Sequence, residues 1–137
     1  MSSFRHVMAF GTFDLLHPGH VAFLEQAKQS GDHLSVVIAR DANVKKIKGD
    51  FPKQDEQARH DAVVNTAIPD RVILGDLDDF YVPIRSTQPD LIVMGYDQRV
   101  NVTRLQRDFP TIQLIRAKAF FPEKYKSSLM KRCKIED

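Results

Sequence analysis

The feature that most constrains the fold is the stretch from Met8 to His20, whose pattern predicts a strand end, a tight turn and a helix start. The run Val7–Phe10 is apolar throughout, as in a strand covered on both faces. Gly11 breaks this run, and Pro18 has a φ suited to the first turn of a helix. Helical apolar spacing follows from Val21. Such a turn directs free backbone N–H groups and the positive end of a helix dipole at one point, which favours a phosphate.

Two histidines three residues apart lie at this helix start. His17 and His20 can share one face of the helix. Two imidazoles beside an anion-accepting turn can donate hydrogen bonds to oxygens that gain negative charge in a transition state. The alternative is a helix cap with two surface histidines. Because the pair occurs together with Gly11, Asp14 and Gly19 at this spacing, we favour the functional interpretation.

Length and composition limit the possible partners and locations. The chain has 137 residues, which predicts one domain over residues 1–137. A net charge of +2 is too small to indicate nucleic acid as a main partner. No apolar run approaches the roughly 20 residues of a membrane span, so no membrane association is expected. The single cysteine, Cys133, excludes an internal disulfide and fits the cytoplasm.

Apolar runs alternate with helical patterns along the chain, which predicts a Rossmann-like α/β fold: a five-stranded parallel sheet with helices on both faces. The predicted strands are Arg5–Phe10, His33–Arg40, Arg71–Leu74, Leu91–Met94 and Thr111–Ala117. The predicted helices are Pro18–Ser30, Gln54–Asn65, Tyr81–Thr87, Val100–Asp108 and Ser127–Ile135, with Gly31 ending the first and Asp41–Lys53 predicted as a loop. Ligands of such sheets bind beyond the carboxyl ends of the strands, where the motifs described below are expected to converge.

Residues 11–20, GTFDLLHPGH, resemble the signature of a nucleotidyltransferase superfamily. This superfamily includes glycerol-3-phosphate cytidylyltransferase, ethanolamine-phosphate cytidylyltransferase and the archaeal type of FAD synthetase. The resemblance implies attack of a phosphate monoester on the α-phosphorus of a nucleoside triphosphate, with release of pyrophosphate. It also implies a homodimer.

Basic residues further along the chain have two interpretations each. Lys45, Lys46 and Lys48 form either a solvated face or a mobile cationic lid on a triphosphate. The resemblance favours Lys45 or Lys46 over Lys48. It also places Arg59 in the family's arginine position, from which the side chain can reach the nucleotide site. The alternative for Arg59 is an ion pair with Asp55 on the helix surface.

Two further segments bear on the substrate. The sequence GYDQ at residues 95–98, like VIARD at residues 37–41, resembles the archaeal FAD synthetases. Gly95 lets the backbone pass close to a ligand. Asp97 could accept hydrogen bonds from ribose hydroxyls, and Tyr96 could stack or bond through its hydroxyl. The alternative is a simple turn.

The segment KSSLMKR, residues 126–132, resembles the family's ISSTxIR element. Ser127 and Ser128 at a helix start are suited to binding an anion. Arg132 or Lys131, one turn further on, would add positive charge against the β- and γ-phosphates. The alternative is an N-cap followed by a basic solvent face.

Asp14 either holds the turn by accepting from backbone N–H groups, which we favour, or contacts substrate or a metal-bound water. No stretch resembles a metal cage, so magnesium or another divalent ion is expected to arrive with the nucleotide. The predicted catalytic residues are His17, His20, Lys45 and Arg132. The predicted nucleotide-binding residues are Gly11, Thr12, Phe13, Asp14, Gly19, Lys46, Arg59, Gly95, Tyr96, Asp97, Ser127 and Ser128.

The expected substrates are ATP and FMN, which would give FAD. The first alternative is CTP with glycerol phosphate or another small alcohol phosphate. A flavin would need an apolar slot, which the loop at Phe120–Pro122 could line. A hypothesis of another class is a nucleotide-binding module without activity, against which the histidine pair argues.

Overall fold

A computed structural model describes residues 5–94 and 102–117 of the chain. Five strands form one sheet: β1 His6–Gly11, β2 His33–Ile38, β3 Arg71–Leu74, β4 Leu91–Met94 and β5 Gln113–Arg116. The helices in these residues are α1 Pro18–Gln29, α2 Asp41–Lys48, α3 Glu56–Asn65, α4 Val82–Thr87 and α5 Val102–Asp108. All pairings are parallel, in the order β3-β2-β1-β4-β5. The predicted Rossmann-like α/β fold is therefore confirmed.

The central strand is β1, which pairs with β2 on one side and β4 on the other. Ala9 lies in register with both Val36 and Val93. The run from Val7 to Ala9 has no exposed surface. An apolar run without alternation is typical of a parallel strand that is covered on both faces, which explains why β1 was recognisable in the sequence.

Helices cover both faces of the sheet. On one face, Val7 and Ala9 pack in a buried cluster that includes Leu24 of α1 and Val63 of α3. The opposite face carries a second cluster, formed by Met8, Phe10, Val37, Ile92 and Met94 with Ile84 of α4 and Leu105 of α5. The strand β1, which leads into the turn, is therefore held between two separate buried clusters.

The prediction of a loop over Asp41–Lys53 is wrong, because its first part is the helix α2. Only Val44 of this helix is buried, so the sequence shows no apolar stripe. The sequence features that indicate this helix are instead its charge distribution and the glycine that ends it. Asp41 lies in the first turn and lysines in the last, which suits the helix dipole, and Gly49 closes the helix with a left-handed φ of 91°.

The strands β3 and β4 have the predicted bounds and, apart from α2, the other described elements differ from the predictions by at most two residues at either end. Residues 100–101 and the predicted helix Ser127–Ile135 lie outside the described residues. Gly31 follows α1 as predicted, but its role differs from that of a left-handed terminator. A Cβ atom at Gly31 would lie 2.5 Å from Val7 Cγ2 and 2.8 Å from the Arg5 carbonyl oxygen. Close packing against β1 therefore requires glycine there. Within the described residues, no helix is long and apolar enough to cross a membrane.

Candidate functional site

The turn after β1 has a backbone conformation that side chains rarely adopt. Phe13 and Leu15 have φ values of 56° and 52°, a left-handed geometry that costs about 1–3 kcal/mol for such residues. The Phe13 ring is buried and lies over Gly11, where a Cβ atom would come within 2.5 Å of it. Gly11 is therefore needed for a close approach, and burial of Phe13 offsets the strain of the turn.

The two histidines form a reciprocal cap at the start of α1. His17 Nδ1 accepts from the backbone N–H of Gly19 at 3.1 Å, and His20 Nδ1 accepts from the backbone N–H of His17 at 3.2 Å. The rings are stacked, with centroids 3.8 Å apart. The predicted alternative of a helix cap is therefore present. The two hydrogen bonds of this cap use Nδ1 atoms, and neither involves Nε2. Since each Nδ1 acts as an acceptor, the neutral rings carry their protons on Nε2.

Electrostatics keep His20 neutral. Its pKa is lowered from 6.5 to about 4, first because the ring is buried and then because of electrostatic interactions with His17 and Lys48, with Asp14 acting in the opposite direction. At neutral pH the His20 imidazole is therefore a neutral donor through Nε2–H. The charge of Lys48 reaches His20, although the sequence resemblance favoured the other two lysines.

The three lysines lie on the helix α2 and not on the predicted loop, and their contact with a triphosphate stays a prediction. Lys45, Lys46 and Lys48 are all exposed on α2. The Lys45 ammonium lies 5.1 Å from the centre of the exposed Phe51 ring, within the range of a cation–π contact. These side chains therefore project from a short helix beside the turn.

Asp14 joins the turn to the segment that precedes α3. Its carboxylate accepts from the backbone N–H groups of Lys53 at 2.8 Å and Gln54 at 3.0 Å. In return, the Gln54 side-chain oxygen accepts from the backbone N–H of Leu15 at 3.0 Å. Asp14 thus bonds backbone N–H groups of a distant segment. Sequence reasoning did not single out Gln54, since no local pattern connects residues 39 apart.

Arg59 lies beneath this turn and is fully buried. It donates to the Thr12 carbonyl oxygen at 2.9 Å, to the Gln54 carbonyl oxygen at 3.0 Å and to Asp41 Oδ1 at 2.6 Å. The alternative of a surface ion pair with Asp55 is wrong, because Asp55 caps α3 by accepting from a backbone N–H. Arg59 therefore stabilises the turn from the buried side, through these hydrogen bonds.

The pair between Arg59 and Asp41 extends into a network at the start of α2. The backbone N–H of Asp41 donates to Glu56 at 2.8 Å, and Arg40 donates to the same carboxylate at 2.7 Å. Arg40 also donates to the Gly75 carbonyl oxygen at 2.8 Å. This network ties the segments after β1, β2 and β3 together. Sequence reasoning missed its acidic members, Asp41 and Glu56, whose partners are distant in sequence.

Several predicted site residues lie outside the described residues: Gly95, Tyr96, Asp97, Ser127, Ser128, Lys131 and Arg132, together with Phe120–Pro122. The described strand β4 ends at Met94, immediately before Gly95. Within the described residues, no group of three histidine, cysteine or acidic side chains is arranged to hold a metal ion.

A parallel α/β sheet with a strained turn and two imidazoles at one strand end is the arrangement of a nucleotide-binding protein of the doubly wound class. The cytidylyltransferase-like family model matches residues 8–132. The chain is 45% identical over 102 residues to an FAD synthase of Methanosarcina barkeri, covering 74% of this chain and 72% of that protein. It is 47% identical over 106 residues to an FAD synthase of Ferroglobus placidus, covering 76% and 67%.

A solved structure shares the fold of this chain. The lipopolysaccharide core biosynthesis protein of Thermoplasma volcanium GSS1 aligns with a TM-score of 0.81 and 34% identity, covering 87% of this chain and all of that one. The chain belongs to the cytidylyltransferase-like family of nucleotidyltransferases.

Proposed function

We propose that this protein is an FAD synthase that transfers AMP from ATP to FMN and releases pyrophosphate. The observation that carries this proposal is the identity of 45–47% to FAD synthases, over about three quarters of the chain. The fold and the histidine pair support the same reaction class. ATP is accordingly the co-substrate, as the relatives imply.

The proposed reaction is an in-line displacement at the α-phosphorus of ATP. A phosphate oxygen of FMN forms the new P–O bond while the bond to the pyrophosphate oxygen breaks. His17 and His20 would donate through Nε2–H to the α-phosphoryl oxygens as these gain charge. Both rings are held by the reciprocal cap, so they need little reorganisation.

Other residues would hold the triphosphate. We propose that the backbone from Gly11 to Phe13 and a lysine of α2 contact it, with Lys45 or Lys46 favoured by the family resemblance. Ser127, Ser128 and Arg132 keep the roles implied by the family signature, as do Gly95, Tyr96 and Asp97 at the nucleoside. Magnesium would neutralise the phosphates and the leaving pyrophosphate.

We further propose one domain over residues 1–137, a homodimer and a cytoplasmic location. The single sheet and the family match over residues 8–132 support the first. The sequence resemblance supports the second, and the lone Cys133 fits the third.

The test is product formation over a panel of substrates. Purified protein is incubated with magnesium, ATP or CTP, and FMN or glycerol 3-phosphate; pyrophosphate and flavin products are then quantified. We expect pyrophosphate and FAD in equal amounts with ATP and FMN only. Pyrophosphate from CTP and glycerol 3-phosphate alone would instead support a cytidylyltransferase. Binding of nucleotide without pyrophosphate release in any mixture would indicate a non-catalytic module.

A further inference from the structure

Large apolar side chains are exposed in the segment that follows β3. Leu77 is 48% exposed and Phe80 is 44% exposed. This segment leaves the sheet at the same edge as the turn after β1, because all five strands are parallel. Neighbouring apolar side chains at a ligand-binding edge point to a contact surface.

Phe80 lies against the last apolar residue of β1. Its ring centroid is 4.7 Å from that of Phe10, with the planes 31° apart. Phe10 directly precedes Gly11, and consecutive Cα atoms are about 3.8 Å apart. The contact with Phe10 covers part of the Phe80 ring and leaves the rest to solvent. An exposed aromatic ring is therefore held next to the phosphate-binding turn.

Hydrogen bonds within the protein hold this segment in place. Arg40 donates to the Gly75 carbonyl oxygen, and Asn43 donates to the Asp76 carbonyl oxygen at 3.0 Å. The Asp76 carboxylate accepts from the backbone N–H groups of Asp78 and Asp79 at 3.0 and 2.9 Å. Such anchoring lowers the entropic cost of binding at this surface.

Charge indicates which part of a substrate would lie here. Asp79 is paired with Arg85. Asp76 and Asp78, however, give the segment negative charge, which repels a phosphate group. A neutral planar ring is not repelled by this charge, and its contact with an aromatic side chain is favourable. FMN combines a phosphate with a neutral tricyclic ring, separated by the five-carbon ribityl chain.

We infer that Phe80 is the contact for the isoalloxazine ring of FMN and selects a flavin over a small alcohol phosphate. This inference rests on the proposed FAD synthase function. Phe80 contacts Phe10 next to Gly11, so the flavin ring would lie beside the turn that is proposed to hold the phosphates of ATP, and the ribityl chain would carry the FMN phosphate towards the α-phosphorus.

The test is the affinity for FMN of a Phe80→Ala variant, measured by titration of flavin fluorescence and by KM. We expect the Kd and KM for FMN to rise by about fivefold or more, which corresponds to the loss of one aromatic stack on a heterocycle. The KM for ATP is expected to stay within about twofold. Phe80→Tyr should retain the affinity for FMN, and Phe80→Leu should lose most of it despite its similar apolarity.

Val64→Ala is the matched control, since Val64 is 47% exposed on α3 and lies outside the proposed site. Circular dichroism and light scattering on each variant separate binding from folding and association. If Phe80→Ala lowers the melting temperature, the test is the FMN affinity of Phe80→Leu, because this variant keeps an apolar contact with Phe10. Unchanged FMN affinity in a folded variant, or a changed oligomeric state alone, would overturn the inference while wild-type FAD formation stands. No FAD from the wild type would overturn the proposed function itself.

Discussion

At the scale of single residues, the atom of His20 that caps the helix differs from the atom proposed as the catalytic donor. Nδ1 accepts from the His17 backbone, whereas Nε2–H is the proposed donor to substrate. An asparagine at this position can keep an acceptor near Nδ1 but has no group at Nε2. We expect His20→Asn to lower kcat by roughly 10²–10³, as for loss of one transition-state donor, with a nearly unchanged melting temperature.

His20→Ala removes both atoms, so it should show the same kinetic loss together with a lower melting temperature. Steady-state kinetics and thermal unfolding of the two variants test this separation. Wild-type turnover in His20→Asn would refute the assigned role of Nε2–H.

The lowered pKa of His20 also predicts a pH dependence of stability. The pKa is about 4 in the folded chain and near 6.5 in the unfolded chain, so the unfolded chain binds the proton more readily. Neutral His20 therefore stabilises the fold fully above about pH 6.5, and this contribution is lost as the pH falls towards 4. Urea unfolding across this range should show a larger loss of unfolding free energy in the wild type than in His20→Asn. Parallel curves for the two proteins would contradict the prediction.

At the scale of elements, Arg59 connects the turn after β1 to α2 and α3. Arg59→Met would leave the Thr12 and Gln54 carbonyl oxygens and the Asp41 carboxylate without this donor. We expect a loss of about 3 kcal/mol in unfolding free energy, as when one partner of a buried ion pair is removed. Turnover should fall as well, because the turn loses its support.

Arg107→Met is the matched comparison, since Arg107 pairs with Asp108 while its side chain is 70% exposed. We expect a loss below about 1 kcal/mol in that variant. Equal losses in both variants, measured by urea unfolding, would show that the buried network contributes little.

At the scale of the whole molecule, the sheet ends in an edge strand. Within the described residues, β3 pairs only with β2, which leaves one side of β3 for another chain or for solvent. The proposed homodimer should give a mass of about twice 15.7 kDa in light scattering. A mass near 16 kDa at every concentration tested would refute the dimer.

Local patterns carry information about elements that a single segment can define. The strands β1, β2 and β4 are apolar because both sheet faces are covered, so their positions could be predicted. Pro18 at the start of α1 and the His17–His20 spacing also depend only on neighbouring residues. In contrast, α2 buries one side chain and was not recognised by periodicity.

The alternation of strands and helices, the glycine turn and the family signature could all be recognised before folding was considered, because each depends on residues close together in the chain. Tertiary structure alone decided the partners of Asp14 and Arg59, which bond residues 39 and 47 positions away. It also decided the contact between Phe10 and Phe80, on which the proposed flavin site depends. A side chain's chemistry sets what it can bind, but folding sets which distant groups come within reach.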